Sequence, residues 1–337
     1  MEGGPQIRIV GNADQEQKEN TKRALELRFF EHKNFLPEKV KEVVKFERQK
    51  SEIENILIDF ANKETNELLD NLGINTYSIP RENYHIVPTE VFEIATGEKN
   101  AFAVSDSSLQ GILFSSDVFK SNPLYFGSIA LHETLHLKSS MSIELNENDD
   151  GVEASLFRTG VAVMGSQKSH REGEYKEHFI GLEEAIVATQ EKKSFIKILN
   201  LPELSKEKDS MTTGYLKELK KYITEKENLS EDEIISIDTD GNYRRFSYLS
   251  QRRVLDFVCN EVQKQFSNDY QNAEEVFNEF LKAHFTGQLL PIARLVEKTF
   301  GEGSFRILGE MGMTDSSAAV CLESLRDRRY INKGESQ

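Results

Sequence analysis

Two hydrophobic periodicities alternate along the chain. After a short apolar stretch, Ile7-Arg8-Ile9-Val10, residues 14 to about 30 read as a charged helix. Leu36-Pro37-Glu38 starts another helical stripe, carried by Val40, Val43, Val44 and Phe46, then by Ile53, Ile56, Leu57, Phe60, Leu68, Leu69 and Leu72, with Gly73 closing it. Between Tyr84 and Ser115 the period becomes strand-like. Tyr84 to Val87, ended by Pro88, is one candidate strand; Ala101 to Val104 and Gln110 to Phe114 are two more, joined by the turn-rich Ser105-Asp106-Ser107-Ser108.

Helical spacing returns at Asn122-Pro123, a capping residue followed by a proline suited to the first turn. Leu124, Phe126, Ile129, Ala130, Leu131, Leu135 and Leu137 then make a helix apolar on most sides, which should be buried. Glu144 to Asp150 reads as an acidic loop, Leu156 to Gly165 as a strand or hairpin, and Ser166 to Glu174 as a polar loop over a cleft. Phe179 to Thr189 is helical again. The charged segment from Leu201-Pro202 to Gly214 reads as a linker, followed by a short basic helix to about Thr224. Asp-Gly between apolar runs makes Ile234 to Tyr243 a hairpin rather than a calcium loop. Helices over 249–266, 273–285, 289–300 and 316–329 complete the chain, with a flexible tail expected beyond Ile331. The organisation expected is a helical segment over 1–75, a core over 76–200, a helical subdomain over 201–330 and a tail over 331–337.

The apolar helix contains His132-Glu133-Thr134-Leu135-His136, an H-E-x-x-H pattern. Residues four apart share a helical face, so both imidazoles can point at one ion. Glu133 lies about 100° around the helix, where a general base for a metal-activated water has to be. Polar groups on a buried helix need partners, and a metal supplies one. Catalytic zinc takes three protein ligands, and no histidine follows closely enough to be the third. Glu183 and Glu184, in an otherwise apolar helical stretch, are the downstream candidates; adjacent residues diverge on a helix, so only one can serve.

His132, Glu133 and His136 followed by a glutamate-bearing helix resemble the gluzincin branch of zinc metallopeptidases, over roughly residues 84–195. The resemblance implies that Glu184, which precedes Ala185 and Ile186, is the third ligand to one zinc per chain. It implies an α+β, zincin-like fold, with a small, mostly antiparallel sheet beside the metal helix and a largely helical C-terminal subdomain. It further implies that extended substrate pairs with a sheet edge, for which Gln110, Gly111, Ile112 and Leu113 are the candidates. A residue stabilising the oxyanion should come from the C-terminal half, with Tyr248 named first. His85, single on its strand, reads as structural; His170 and His178 are fallback candidates that read as surface histidines.

Composition narrows the setting. Hydrophobic residues are 38% and charged residues 29%, as in a soluble globular protein, and the net charge of −15 disfavours nucleic acid and anionic membranes. Cys259 and Cys321 make no disulfide framework, and no signal peptide or membrane-length apolar run is present, so a cytoplasmic protein is expected. The expected function is peptide-bond hydrolysis with Glu133 as general base. Hydrolysis of a non-peptide amide or ester, or a binding module with a structural or vestigial zinc site, are the alternatives.

Overall fold

Asn122 begins the helix that carries both motif histidines: its Oδ1 accepts the Leu124 N–H at 2.7 Å, and the helix runs Pro123–Lys138. The computed structural model describes residues 4–99, 101–118, 122–148, 151–165 and 177–334. The fold is mixed α/β, mostly helical, with small sheets and a helical C-terminal part. The chain divides into two compact units, Met1–Gly4 with Arg23–Leu137 and Gln190–Ser247, and Pro5–Lys22 with Lys138–Thr189 and Tyr248–Gln337. Both draw on segments far apart in sequence.

In the first unit a three-stranded sheet has the order β2 (Tyr84–Val87), β4 (Gly111–Ser115), β3 (Ala103–Asp106). β4 pairs in parallel with β2 and antiparallel with β3. Both edges of β4 are therefore taken, and all five of its residues are buried. The expectation that Gln110 to Leu113 offer a free edge does not hold. Gln110 is instead a turn residue at φ 55°, and Gly111 allows the Asn83 carbonyl to approach, since a Cβ there would meet it at 2.8 Å. The free edge belongs to β3, which pairs only with β4 among the described residues.

A buried polar relay fixes the histidine-bearing helix to this sheet. The Tyr84 hydroxyl lies 3.1 Å from Thr134 Oγ1, and Asn62, on the Glu52–Asn71 helix, donates to the same hydroxyl at 3.3 Å. Burial raises the Tyr84 phenol's pKa, so it stays a neutral donor and acceptor. Leu57 and Ile58 of the Glu52–Asn71 helix are fully buried, each worth about 1.5–3 kcal/mol relative to exposure. Ser51 and Glu54 form a capping box at its start, which is why the expected single stripe breaks into helices Glu38–Val44 and Glu52–Asn71. A helix over Thr89–Thr96, between two strands, was not expected at all.

In the second unit the sheet order is β1 (Ile7–Val10), β5 (Met141–Asn148), β6 (Gly151–Thr159), β7 (Ala162–Val163), with β1 and β5 parallel and the rest antiparallel. The acidic stretch expected to loop at Glu144 is thus part of a strand up to Asn148. Helices Leu249–Gln265, Ala273–Thr286, Leu289–Phe300, Ser304–Gly309 and Asp315–Gly334 pack on one another through Val254, Val258, Phe277, Phe280, Val296 and Leu325. The last helix runs three residues beyond the expected start of the tail. In the first unit the expected linker is also helical, as Ser205–Thr212 and Gly214–Glu227, and the expected hairpin is β8 (Ile234–Ile237) with β9 (Tyr243–Arg245). Among the described residues no helix is long and apolar enough to cross a membrane.

Candidate metal centre

His132 and His136 present their Nε2 atoms to each other at 3.2 Å. One ligand atom from each of His132, His136 and Glu184 lies within 4.8 Å of the other two. Two zinc–nitrogen bonds of about 2.0–2.1 Å meeting at a tetrahedral angle would set their nitrogens roughly 3.3 Å apart, so the imidazole spacing fits such an ion. Two neutral nitrogens and a carboxylate are a donor set that zinc accepts.

The orientation of His132 is fixed from behind. Its Nδ1 donates to Glu191 Oε2 at 2.9 Å, and the Ser128 hydroxyl donates to Glu191 Oε1. With the proton held on Nδ1, the Nε2 lone pair is left for the cluster. Ser128 stands one helical turn before His132. Glu191 stands seven residues after Glu184 on the Ile180–Ile198 helix, on the same face. The sequence reading missed both. Their spacing from the motif residues was the available signal, but it acquires meaning only once the two helices are known to be neighbours.

Of the adjacent glutamates, the structure brings Glu184 to the histidines and turns Glu183 elsewhere. Glu183 Oε2 accepts the Val161 N–H at 2.9 Å, and its Oε1 lies 2.8 Å from Nδ1 of the fully buried His284. The turn between β6 and β7 closes over this carboxylate at Gly160, φ 54°, where a Cβ would sit 2.3 Å from both Glu183 oxygens.

Glu133 is buried beside the cluster without being one of its three members. Its Oε2 accepts the Ser105 N–H from β3 at 2.8 Å. Phe102 gives its carbonyl to the Ser115 N–H at 2.9 Å, so by strand alternation Phe102 and Val104 face β4 while Ala103 and Ser105 turn their backbone groups outward. The Ser105 amide donated to Glu133 is one of those outward groups.

The remaining candidates fall in other places. Tyr248 is the N-cap of the Leu249–Gln265 helix, at a left-handed φ of 56° that is costly for a bulky residue, and its carbonyl accepts the Arg252 N–H. His178 exchanges backbone hydrogen bonds with Val163 at 2.9 Å. His170 and the loop expected to cover a cleft lie outside the described residues.

His85 belongs to a second, buried histidine pair. His32 Nδ1 donates to the Arg28 carbonyl at 3.0 Å, so His32 Nε2 must accept from His85 Nε2 at 2.7 Å. His85 Nδ1 also donates, to Glu47 Oε2 at 3.0 Å. Burial opposes the charge of Glu47, but the hydrogen bonds of His85 and Lys50 outweigh this and lower its pKa. Burial, followed by the charge of His85, pushes His32 down to about 4, which keeps it the neutral acceptor.

No protein family, curated protein or solved structure matches this chain.

Proposed function

We propose that the chain is a zinc-dependent metallopeptidase with a zincin-like catalytic core, cleaving peptide bonds with Glu133 as general base. The observation that carries this reading is the pairing of His132 Nε2 with His136 Nε2 at 3.2 Å, within reach of Glu184 and beside a glutamate outside that set. His132, His136 and Glu184 would hold the ion. Zinc bound there would polarise a scissile carbonyl and acidify a water molecule, the two services peptide hydrolysis needs. Glu133 takes the proton released as water attacks the carbonyl carbon, and delivers it to the departing amine. Its Oε2 is held by the Ser105 amide, which leaves Oε1 for the transfer.

The outward edge of β3 supports an extended peptide as substrate. Ser105 turns a carbonyl outward in line with the amide that binds Glu133, and Ala103, itself buried, turns its N–H and carbonyl the same way. A peptide added to that edge would be held by main-chain bonds whatever its sequence, with its backbone carried past Glu133. Cys259 and Cys321, which form no disulfide, agree with a cytoplasmic location as part of the same proposal.

The test pairs zinc stoichiometry with turnover of an unstructured protein, in wild type and Glu133→Gln together. Glutamine keeps the volume and can still accept the Ser105 amide, but it cannot take a proton. One zinc per chain in both, with turnover falling on the order of a hundredfold or more in the variant, is the expected result. Equal turnover in the two, or no turnover in either, would overturn the proposal.

A further inference from the structure

Arg244, on β9, has settled on aromatic rings rather than on an acid. Its Cζ lies 5.0 Å from the centroid of the Phe102 ring and 5.4 Å from that of Tyr125. The two rings meet edge to face with centroids 5.6 Å apart. Among the described residues the Arg244 guanidinium makes no ion pair and no hydrogen bond, in a chain with 57 acidic side chains against 42 lysines and arginines. Other arginines of the same unit are paired: Arg48 with Glu54 and Arg81 with Asp59. Ring contacts hold a guanidinium by its face and leave its N–H edges available, and those edges match a carboxylate two bonds at a time.

One ring belongs to the histidine-bearing helix and the other stands next to β3. Tyr125 stands two turns before His132 on one face of the same helix. Burial raises its phenol to about 12, and it feels the charges of both Arg244 and Glu191, the carboxylate that holds His132. Phe102 immediately precedes β3 and stands three residues from Ser105, a distance of about 10 Å along an extended strand.

Building on the peptidase reading, we infer that Arg244, braced by Phe102 and Tyr125, is a specificity residue that binds a substrate carboxylate two to three residues from the cleaved bond. An acidic side chain and a free C-terminus carry the same group. The enzyme would thus select acidic or chain-terminal segments despite its own negative charge, since one local cation is presented beside the cleavage site.

Binding is measured on the full chain carrying Glu133→Gln, so that turnover does not interfere. Calorimetric titrations use short peptides in matched pairs, Glu against Gln at each position and free against amidated C-terminus. With Arg244 intact, the carboxylate-bearing member of one pair should bind roughly tenfold to a hundredfold more tightly. Which pair shows the difference identifies the carboxylate's source. Arg244→Gln should abolish the preference, and Arg244→Lys should keep only part of it. Arg244→Glu should invert it in favour of a lysine peptide, a gain that misfolding cannot imitate. Equal affinities within every pair, no binding of any peptide, or a preference that survives Arg244→Gln would overturn the inference. Turnover is scored separately with Glu133 intact. Carboxylate-selective binding without hydrolysis would sink the peptidase reading and leave Arg244 standing; hydrolysis without carboxylate selectivity would do the reverse.

Discussion

Glu191 Oε2 holds the Nδ1 proton of His132 at 2.9 Å, with its other oxygen tied to the Ser128 hydroxyl. One carboxylate thereby sets both the tautomer and the plane of a metal-site imidazole. Removing such a support typically costs ten- to a hundredfold in metal affinity while leaving the ligands in place. Glu191→Ala should accordingly weaken zinc binding by about that factor and leave the stoichiometry at one when zinc is saturating. A competition titration against a chromophoric chelator reads this. Unchanged affinity would make the contact incidental to the metal.

Glu183 and Glu184 should part company when each is truncated. Glu184→Ala should lose zinc. Glu183→Ala should keep zinc but destabilise the fold by roughly 3 kcal/mol, because it strands the buried His284 and the Val161 amide. Zinc content and thermal melts on both variants decide it, and the opposite order would show that the two side chains have been assigned to the wrong roles.

The centre was legible to the extent that one helix encodes it. His132, Glu133 and His136 need only a period of 3.6 and a buried face, and the capping Asn122 was visible beforehand. Glu191 and Ser128 were not, because their value depends on which helices become neighbours. The strand Met141–Asn148 did alternate, with Met141, Ile143 and Leu145 buried, but its acidic end drew attention to charge instead of period. The Ser205–Thr212 and Gly214–Glu227 helices bury few side chains, so their charged sequences read as a linker. β4 was recognised as a strand, yet whether a strand is central or at an edge is a property of its partners, which local sequence does not carry.

Gly160 offers a sharper probe of the Glu183 pocket. Its φ of 54° already disfavours a side chain, and a Cβ would lie 2.3 Å from both carboxylate oxygens. Gly160→Ala should cost about 2 kcal/mol or more, through backbone strain and displacement of a buried acid. Chemical denaturation measures this, and a neutral substitution would mean the turn relaxes freely.

The buried histidine pair predicts an acid-labile fold. His32 has its pKa depressed from 6.5 to about 4, so between those values the unfolded chain binds a proton that the folded chain refuses. The contribution of His32 is therefore complete above about pH 6.5 and is lost as the pH falls toward 4, to the extent of on the order of 3 kcal/mol. His32→Gln, which keeps a hydrogen-bonding side chain but does not titrate, should flatten the stability curve over that window. Denaturation midpoints followed from pH 7 to pH 4 would expose parallel curves if the prediction is wrong.

The Ser105–Glu133 contact also bears on how the molecule behaves in a crowded solution. An open strand edge will accept any extended backbone, including that of a second copy of this chain. Because Glu133 takes up the Ser105 amide, little of the outer side of β3 is left to pair, a run that suits a few residues of peptide better than the whole strand of a second copy. Light scattering at rising concentration should therefore find a single species, and assemblies would show the edge pairing with itself.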